Sequence, residues 1–174
     1  MELKRITSTN HPMYKIENEL YKISFPFHEQ RENLSQKEIL NNPNYHFDII
    51  THNNNFIGEI LYWETNNFYY IEHFCISPEK RNNHYGEKAL NLLKNKSLIL
   101  EIDPPNDSIS KRRQGFYERC GFKKNSYNHI HPPYHKENPG HKLTIMSCPC
   151  ELTQKEYNIF NDFLIKTVMK NAYC

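Results

Sequence analysis

Between Tyr69 and Gly86 the chain reads Tyr-Tyr-Ile-Glu-His-Phe-Cys-Ile-Ser-Pro-Glu-Lys-Arg-Asn-Asn-His-Tyr-Gly, which brings a carboxylate, a basic pair and a glycine turn into one short stretch. Lys80 and Arg81 precede Asn82-Asn83-His84-Tyr85-Gly86 and Glu87. There the glycine lets the backbone come close to a ligand, and the first amides of a following helix point outward unpaired. Such a turn attracts phosphate, because free N–H groups and the helix dipole both favour an anion. Upstream, the two-residue period of a strand puts Glu72 on the same face as Phe74 and Ile76, with His73 facing the other way. In an apolar cleft, burial raises a glutamate pKa towards values that suit a general base.

A second chemical stretch follows, Gln114-Gly115-Phe116-Tyr117-Glu118-Arg119-Cys120-Gly121-Phe122. Together the two segments resemble the GNAT superfamily of N-acetyltransferases. Its coenzyme A signature is Arg or Gln, two residues, Gly, any residue, then Gly or Ala, and its second element is Phe-Tyr-Glu-Lys-x-Gly-Phe. His84 stands where the first signature glycine is expected, so a position that needs positive φ would carry a side chain at a cost of about 1 kcal/mol.

The resemblance implies a single α/β domain over residues 1–174, a mixed and mostly antiparallel sheet with a splayed central parallel strand pair, flanked by helices. It implies acetyl coenzyme A as co-substrate, with the pyrophosphate on Arg81, Asn82, Asn83, His84, Tyr85, Gly86 and Glu87, and the acyl arm along Phe74 and Ile76. Glu72 is then the expected general base, directly or through water, and Tyr117 the acid for the departing thiolate. Ser110, seven residues before Tyr117, falls where many relatives carry an asparagine on the pantetheine arm, and Asn106 is the alternative donor. The acceptor is a primary amine of a small molecule or peptide, attacked directly in a ternary complex, and a homodimer is open. The rival reading is a coenzyme A binding module without catalysis, motivated by His84.

The elements that must position these groups are legible in order. Leu3 to Thr7 reads as a strand, then a helix carries Met13, Ile16, Leu20 and Ile23 on one face and ends by Phe25-Pro26. Phe25 to Glu32 is aperiodic and suits a pocket wall, and Ser35 with Glu38 reads as a capping box for a short helix. Tyr45–Ile50 and Phe56–Trp63 form a hairpin about an asparagine turn, and Phe68–Ile76 extends the meander. A helix from Gly86 and a strand over Ser97–Ile102 complete a parallel crossover. Asn106-Asp107 caps the helix that Gly121 ends, strands follow near Phe122–Ile130 and Leu143–Cys148, and a last helix carries Tyr157, Phe160, Leu164 and Val168.

Composition narrows the partners. With 22 basic and 20 acidic residues the formal charge is +2, too balanced to imply nucleic acid. Lys111-Arg112-Arg113 and Lys123-Lys124 are the weak basis of a single-strand nucleic-acid alternative. No apolar run approaches the roughly 20 residues of a membrane span, nor does the amino terminus carry a signal-peptide core, so a cytoplasmic protein is expected. Five cysteines, an odd number, are expected as reduced thiols. Cys148-Pro149-Cys150 with His129, His131, His135 and His141 raises zinc, but structural sites pair ligands two to four residues apart in each of two segments, so no metal is expected. Those histidines, with Tyr127 and Tyr134, read instead as an acceptor wall.

Overall fold

The computed structural model describes residues 1–172, so Cys174 lies outside it. Eight strands form one mixed sheet: β1 (Glu2–Ile6), β2 (Tyr45–His52), β3 (Asn55–Glu64), β4 (Phe68–Ile76), β5 (Ser97–Ile102), β6 (Lys123–Lys124), β7 (His129–His131) and β8 (His141–Cys148). The spatial order is β1-β2-β3-β4-β5-β8-β6, with β7 also on β8. Around it lie α1 (Tyr14–Ser24), α2 (Asn33–Ile39), α3 (Tyr85–Asn91), α4 (Ser108–Arg119) and α5 (Gln154–Phe163).

Local chemistry accounts for most boundaries. Asn53 and Asn54, at φ 50° and 61°, make the two-residue turn between β2 and β3, as asparagine can. Asp107 caps α4 through bonds from the Ile109 and Ser110 amides at 2.7 and 3.0 Å, and Gly121 ends it at φ 93°. Thr153 and Glu156 cap α5 reciprocally. The expected box at Ser35 does not form. Ser35 lies inside α2, fully buried, and its hydroxyl donates to the Asn171 carbonyl.

Among the described residues only β4 and β5 run parallel, paired from Phe68–Ser97 to Ile71–Leu100. Beyond Ile71 each strand keeps only its outer partner, and a gap opens between them. The same point carries a β-bulge: Tyr62 faces Ile71 and Leu61 faces His73, leaving Glu72 without a partner in β3. An extra residue resets the alternation. Tyr69, Ile71, Phe74 and Ile76 therefore all pack into the core under α3 and α4, while Glu72 and His73 both turn to the face covered by α1 and α5. The expectation that Glu72 shares a face with Phe74 and Ile76 is thereby corrected.

A second correction concerns α1. Ile23 is 75% exposed and Ile16 is also exposed, whereas Glu17 is 0% exposed beside Leu20 and Tyr21. Neither oxygen of Glu17 has a hydrogen-bond partner among the described residues. Glu59 on β3 is equally buried and accepts only from the Cys75 thiol, at 3.4 Å. Burial pushes Glu17 up to about 9, helped by Glu59 and Asp48, and burial pushes Glu59 up to about 8. Both carboxyls are thus held protonated at neutral pH.

Raised folded-state values mean stability that is fully present below the unfolded value near 4.3 and lost as pH rises through 8 to 9. Glu17→Gln removes one titration, so its melting temperature should exceed the parent's at pH 8.5 and the gap should shrink towards pH 5. The full slope per group is about 1.4 kcal/mol per pH unit. A gap independent of pH would show that Glu17 is not protonated in the fold.

Candidate active site

A cleft of about 1110 Å³ runs from the turn after β4, through the gap between β4 and β5, to the loops at Phe25–Glu29 and His131–His141. At its first end the backbone takes left-handed conformations at Asn82 (φ 64°) and His84 (φ 57°), so the position that replaces glycine does need positive φ. Arg81 is tied to the strand end by Nε donating to the Ile76 carbonyl at 3.1 Å. Lys80, Arg81, Asn82, His84, Tyr85, Gly86 and Glu87 line the cleft, as do Phe74 and Ile76. Asn83 does not; its amide donates to the Lys80 and Arg81 carbonyls and props the turn from behind. A Cβ at Gly86 would stand 3.0 Å from Phe116 Cζ, so the glycine lets α4 close on the turn.

From α4 the helical spacing presents Ile109, Arg112, Arg113, Phe116, Tyr117 and Cys120 to the cleft. Neither Asn106 nor Ser110 lines it. Ser110 is spent on its own helix end, accepting from the Asp107 amide at 3.1 Å and donating to Oδ2 of Asp107 at 2.9 Å, and Asn106 lies exposed ahead of the cap. The arginines went unassigned to the cleft in the sequence, although their spacing from Phe116 carried the signal.

Tyr117 packs its ring on Phe116 and Phe122 at the middle of the cleft. Its hydroxyl makes no hydrogen bond among the described residues, and burial raises its pKa, so it holds its proton at neutral pH. Cys75 and Cys120 also line this part, and burial raises both thiols, which keeps them from being thiolates.

Opposite lies Glu72, at the bulge. Its carboxylate accepts from Arg31 Nη2 at 2.8 Å, the Tyr134 hydroxyl at 2.8 Å and Trp63 Nε1 at 2.7 Å. Arg31 and Glu72 side chains are each 1% exposed. Burial alone would raise Glu72, but Arg31, the neighbouring His73 and the bonds from Trp63 and Tyr134 outweigh it and hold the carboxyl down at about 2. The sequence expectation of a raised value is reversed, because a carboxylate bonded to a buried cation is stabilised in its charged form. Nothing local in the sequence marks Arg31; its partner arrives from 41 residues away.

The far end is built on Glu101 of β5, which takes bonds from the Tyr70 hydroxyl and the His129 ring, with His131 Nε2 at 3.8 Å. Burial works against its charge, yet His131, His129 and Tyr70 prevail and lower its pKa. His73 Nε2 meets the Glu29 carbonyl at 2.9 Å, and desolvation lowers its pKa, so it is neutral at pH 7. Of the expected acceptor wall, His131, His141 and Tyr134 line the cleft, joined by His28 and by His73 with Phe25 and Tyr134 packed on it. His129, His135 and Tyr127 do not line it, Tyr127 being stacked on Tyr157.

The sequence profile of the acetyltransferase (GNAT) family matches residues 10–122. The chain belongs to this family. A Bacteroides thetaiotaomicron protein assigned to the GNAT acetyltransferases is 31% identical, with a TM-score of 0.90 over 97% of this chain and 98% of that one. An aminoglycoside 6′-N-acetyltransferase complexed with coenzyme A shares the fold at 16% identity and TM-score 0.59, over 84% and 96% of the two chains. An Escherichia coli N-acetyltransferase acting on an alanine of a ribosomal protein does so at 17% and 0.57, over 88% and 96%. No curated protein matches the sequence. This GNAT chain has the mixed sheet with one parallel pair that the signatures implied, and no helix among the described residues is long and apolar enough to cross a membrane.

Glu72→Gln should leave Arg31 as a buried charge without its counter-ion and cost about 3 kcal/mol or more in chemical denaturation. Adding Arg31→Met should recover part of that loss. A double variant less stable than Glu72→Gln by the full cost of a second buried defect would mean that the two side chains do not act as a pair.

Proposed function

We propose that this GNAT protein transfers the acetyl group of acetyl coenzyme A to a primary amine of a small molecule, by direct attack in a ternary complex. The observation that carries the reading is a continuous cleft threading the β4/β5 gap, with a basic turn at one end and the unpartnered Tyr117 hydroxyl where the gap opens. The family signature at Arg81–Gly86 supports coenzyme A there, through backbone amides that histidine at position 84 also offers, and a structural relative is a coenzyme A complex. Aromatic and proline side chains of Phe25, Pro132, Pro133 and Tyr134 enclose the acceptor end, which favours a small amine over a protein chain.

In the step itself the amine nitrogen attacks the thioester carbonyl carbon, and the carbon–sulfur bond then breaks. Tyr117 gives its proton to the departing sulfur and recovers one from water. The ammonium proton of the acceptor passes to water in the open cleft. Glu72 stays ionised throughout and fixes Arg31 and Tyr134, in place of the base role that the family pattern suggested. The thiols of Cys75 and Cys120 are too weakly acidic to carry an acyl intermediate.

Acetyl coenzyme A turnover across an amine panel tests the reading. Calorimetric binding of coenzyme A without turnover on any amine would leave the binding module standing. Tyr117→Phe should lower kcat by roughly 10- to 10³-fold and leave coenzyme A affinity within a few-fold, since the ring and its packing remain. A normal rate with a lowered melting temperature would make Tyr117 a packing residue. Glu72→Gln should keep the parent's pH–rate shape per folded molecule, and a rate rescued only at alkaline pH would restore Glu72 as base.

A further inference from the structure

We propose that His28, Glu29 and His141 form a binding site for one first-row divalent cation, zinc by its ligand set, at the acceptor end of the cleft. One ligand atom from each lies within 4.8 Å of the others. His28 Nε2 is 3.6 Å from Glu29 Oε1, and the His28 and His141 rings meet at 56° with centroids 5.7 Å apart, so they are tilted towards a shared space and not stacked. None of these three side chains makes a hydrogen bond among the described residues. That sets them apart from their neighbours, since His73, His129 and His135 are each bonded, to the Glu29 carbonyl, Glu101 and the Phe27 carbonyl.

Two imidazoles and a carboxylate are a borderline donor set that suits zinc, with cobalt(II) and nickel(II) as close substitutes. Tetrahedral zinc at bonds of 2.0–2.1 Å separates its ligands by roughly 3.3 Å, so spacings that all lie within 4.8 Å have about 1.5 Å or less to close. The side chains are free to do this, with 53%, 28% and 36% of their surfaces exposed for His28, Glu29 and His141. Asp103 completes the setting: Arg113 holds its Oδ2 at 2.7 Å, which leaves Oδ1 3.6 Å from His141 Nε2 as the carboxylate that orients a ligating histidine. The fourth position stays open to water.

The ligands come from separate pieces of chain, the turn at Phe27–Glu29 and the first residue of β8. A bound ion therefore ties the loop after α1 to the sheet across the mouth through which an acceptor must enter. Its effect on turnover rests on the acetyl-transfer reading, while its existence does not.

The test is titration of the full chain with cobalt chloride, read by its visible absorption, and with zinc chloride against a chromophoric chelator. One equivalent should bind, and zinc should raise the melting temperature. His28→Ala and His141→Ala should each weaken binding by roughly 100-fold and abolish the thermal shift, because losing a ligand costs at least what losing an orienting partner does. His11→Ala, on an exposed residue outside the cleft, and Cys150→Ser should bind as the parent does. Coenzyme A binding measured with and without zinc should agree, since the phosphate turn lies at the other end. Absence of stoichiometric binding, binding indifferent to His28→Ala and His141→Ala, or binding lost in Cys150→Ser would overturn the site.

Discussion

The Arg31–Glu72 pair is the interaction on which the geometry of the cleft depends. Through it, five segments that share no sequence neighbourhood are held at one point: the loop after α1, β3 by Trp63, the bulge of β4, the His131–Gly140 loop by Tyr134, and the carboxyl-terminal segment by the Val168 carbonyl. Two charges taken fully out of water are costly, and their mutual attraction offsets that cost only when the remaining donors and acceptors are satisfied. Glu72 meets the condition with three donors. Arg31 meets it less completely, since its Nε has no partner among the described residues. The pair is thus better understood as fixing where these loops sit than as a source of net stability.

The bulge beside the pair sets which side chains of β4 face the open part of the sheet. Glu72 continues the alternation of Phe68 and Tyr70, and had β4 kept that alternation further, His73 would lie on the α3/α4 face with Phe74 and Ile76 on the other. The inserted residue instead leaves Glu72 and His73 on one face and turns Phe74 and Ile76 to the other, and it does so at the register where β4 leaves β5. One backbone irregularity serves both purposes: it puts His73 beside Glu72, and the added local twist lets the parallel pair part. Apolar residues then line the gap on one side and titratable ones on the other.

Features that depend on a few adjacent residues were legible in the sequence. The hairpin at Asn53-Asn54, the cap at Asp107, the stop at Gly121, the span of β4 and the cleft-lining turn at Arg81–Gly86 all follow from local chemistry and were read at or near their observed limits. What was not legible depended on tertiary partners. The face of α1 was misread because a buried Glu17 beside Glu59 contradicts the apolar periodicity, and no helix pattern announces a protonated carboxyl. Glu72 was misplaced because a bulge leaves no mark in the alternation of Tyr, Ile, Phe and Cys. Ser110 kept the family spacing, yet its hydroxyl had a nearer partner in Asp107.

A net charge of +2 conceals a strong division of charge along the cleft. Lys80, Arg81, Arg112 and Arg119, with Glu87 among them, lie towards the turn and α4, whereas Glu29 and Glu101 lie at the other end beside the Arg31–Glu72 pair, with the Arg113–Asp103 ion pair between the two. Because fields from like charges add within a low-dielectric groove, such a division favours a polyanion at the first end and a cation at the second. Composition could not show this, since the charges of each kind are scattered through the sequence from Glu29 to Arg119 and are sorted only by the folded sheet.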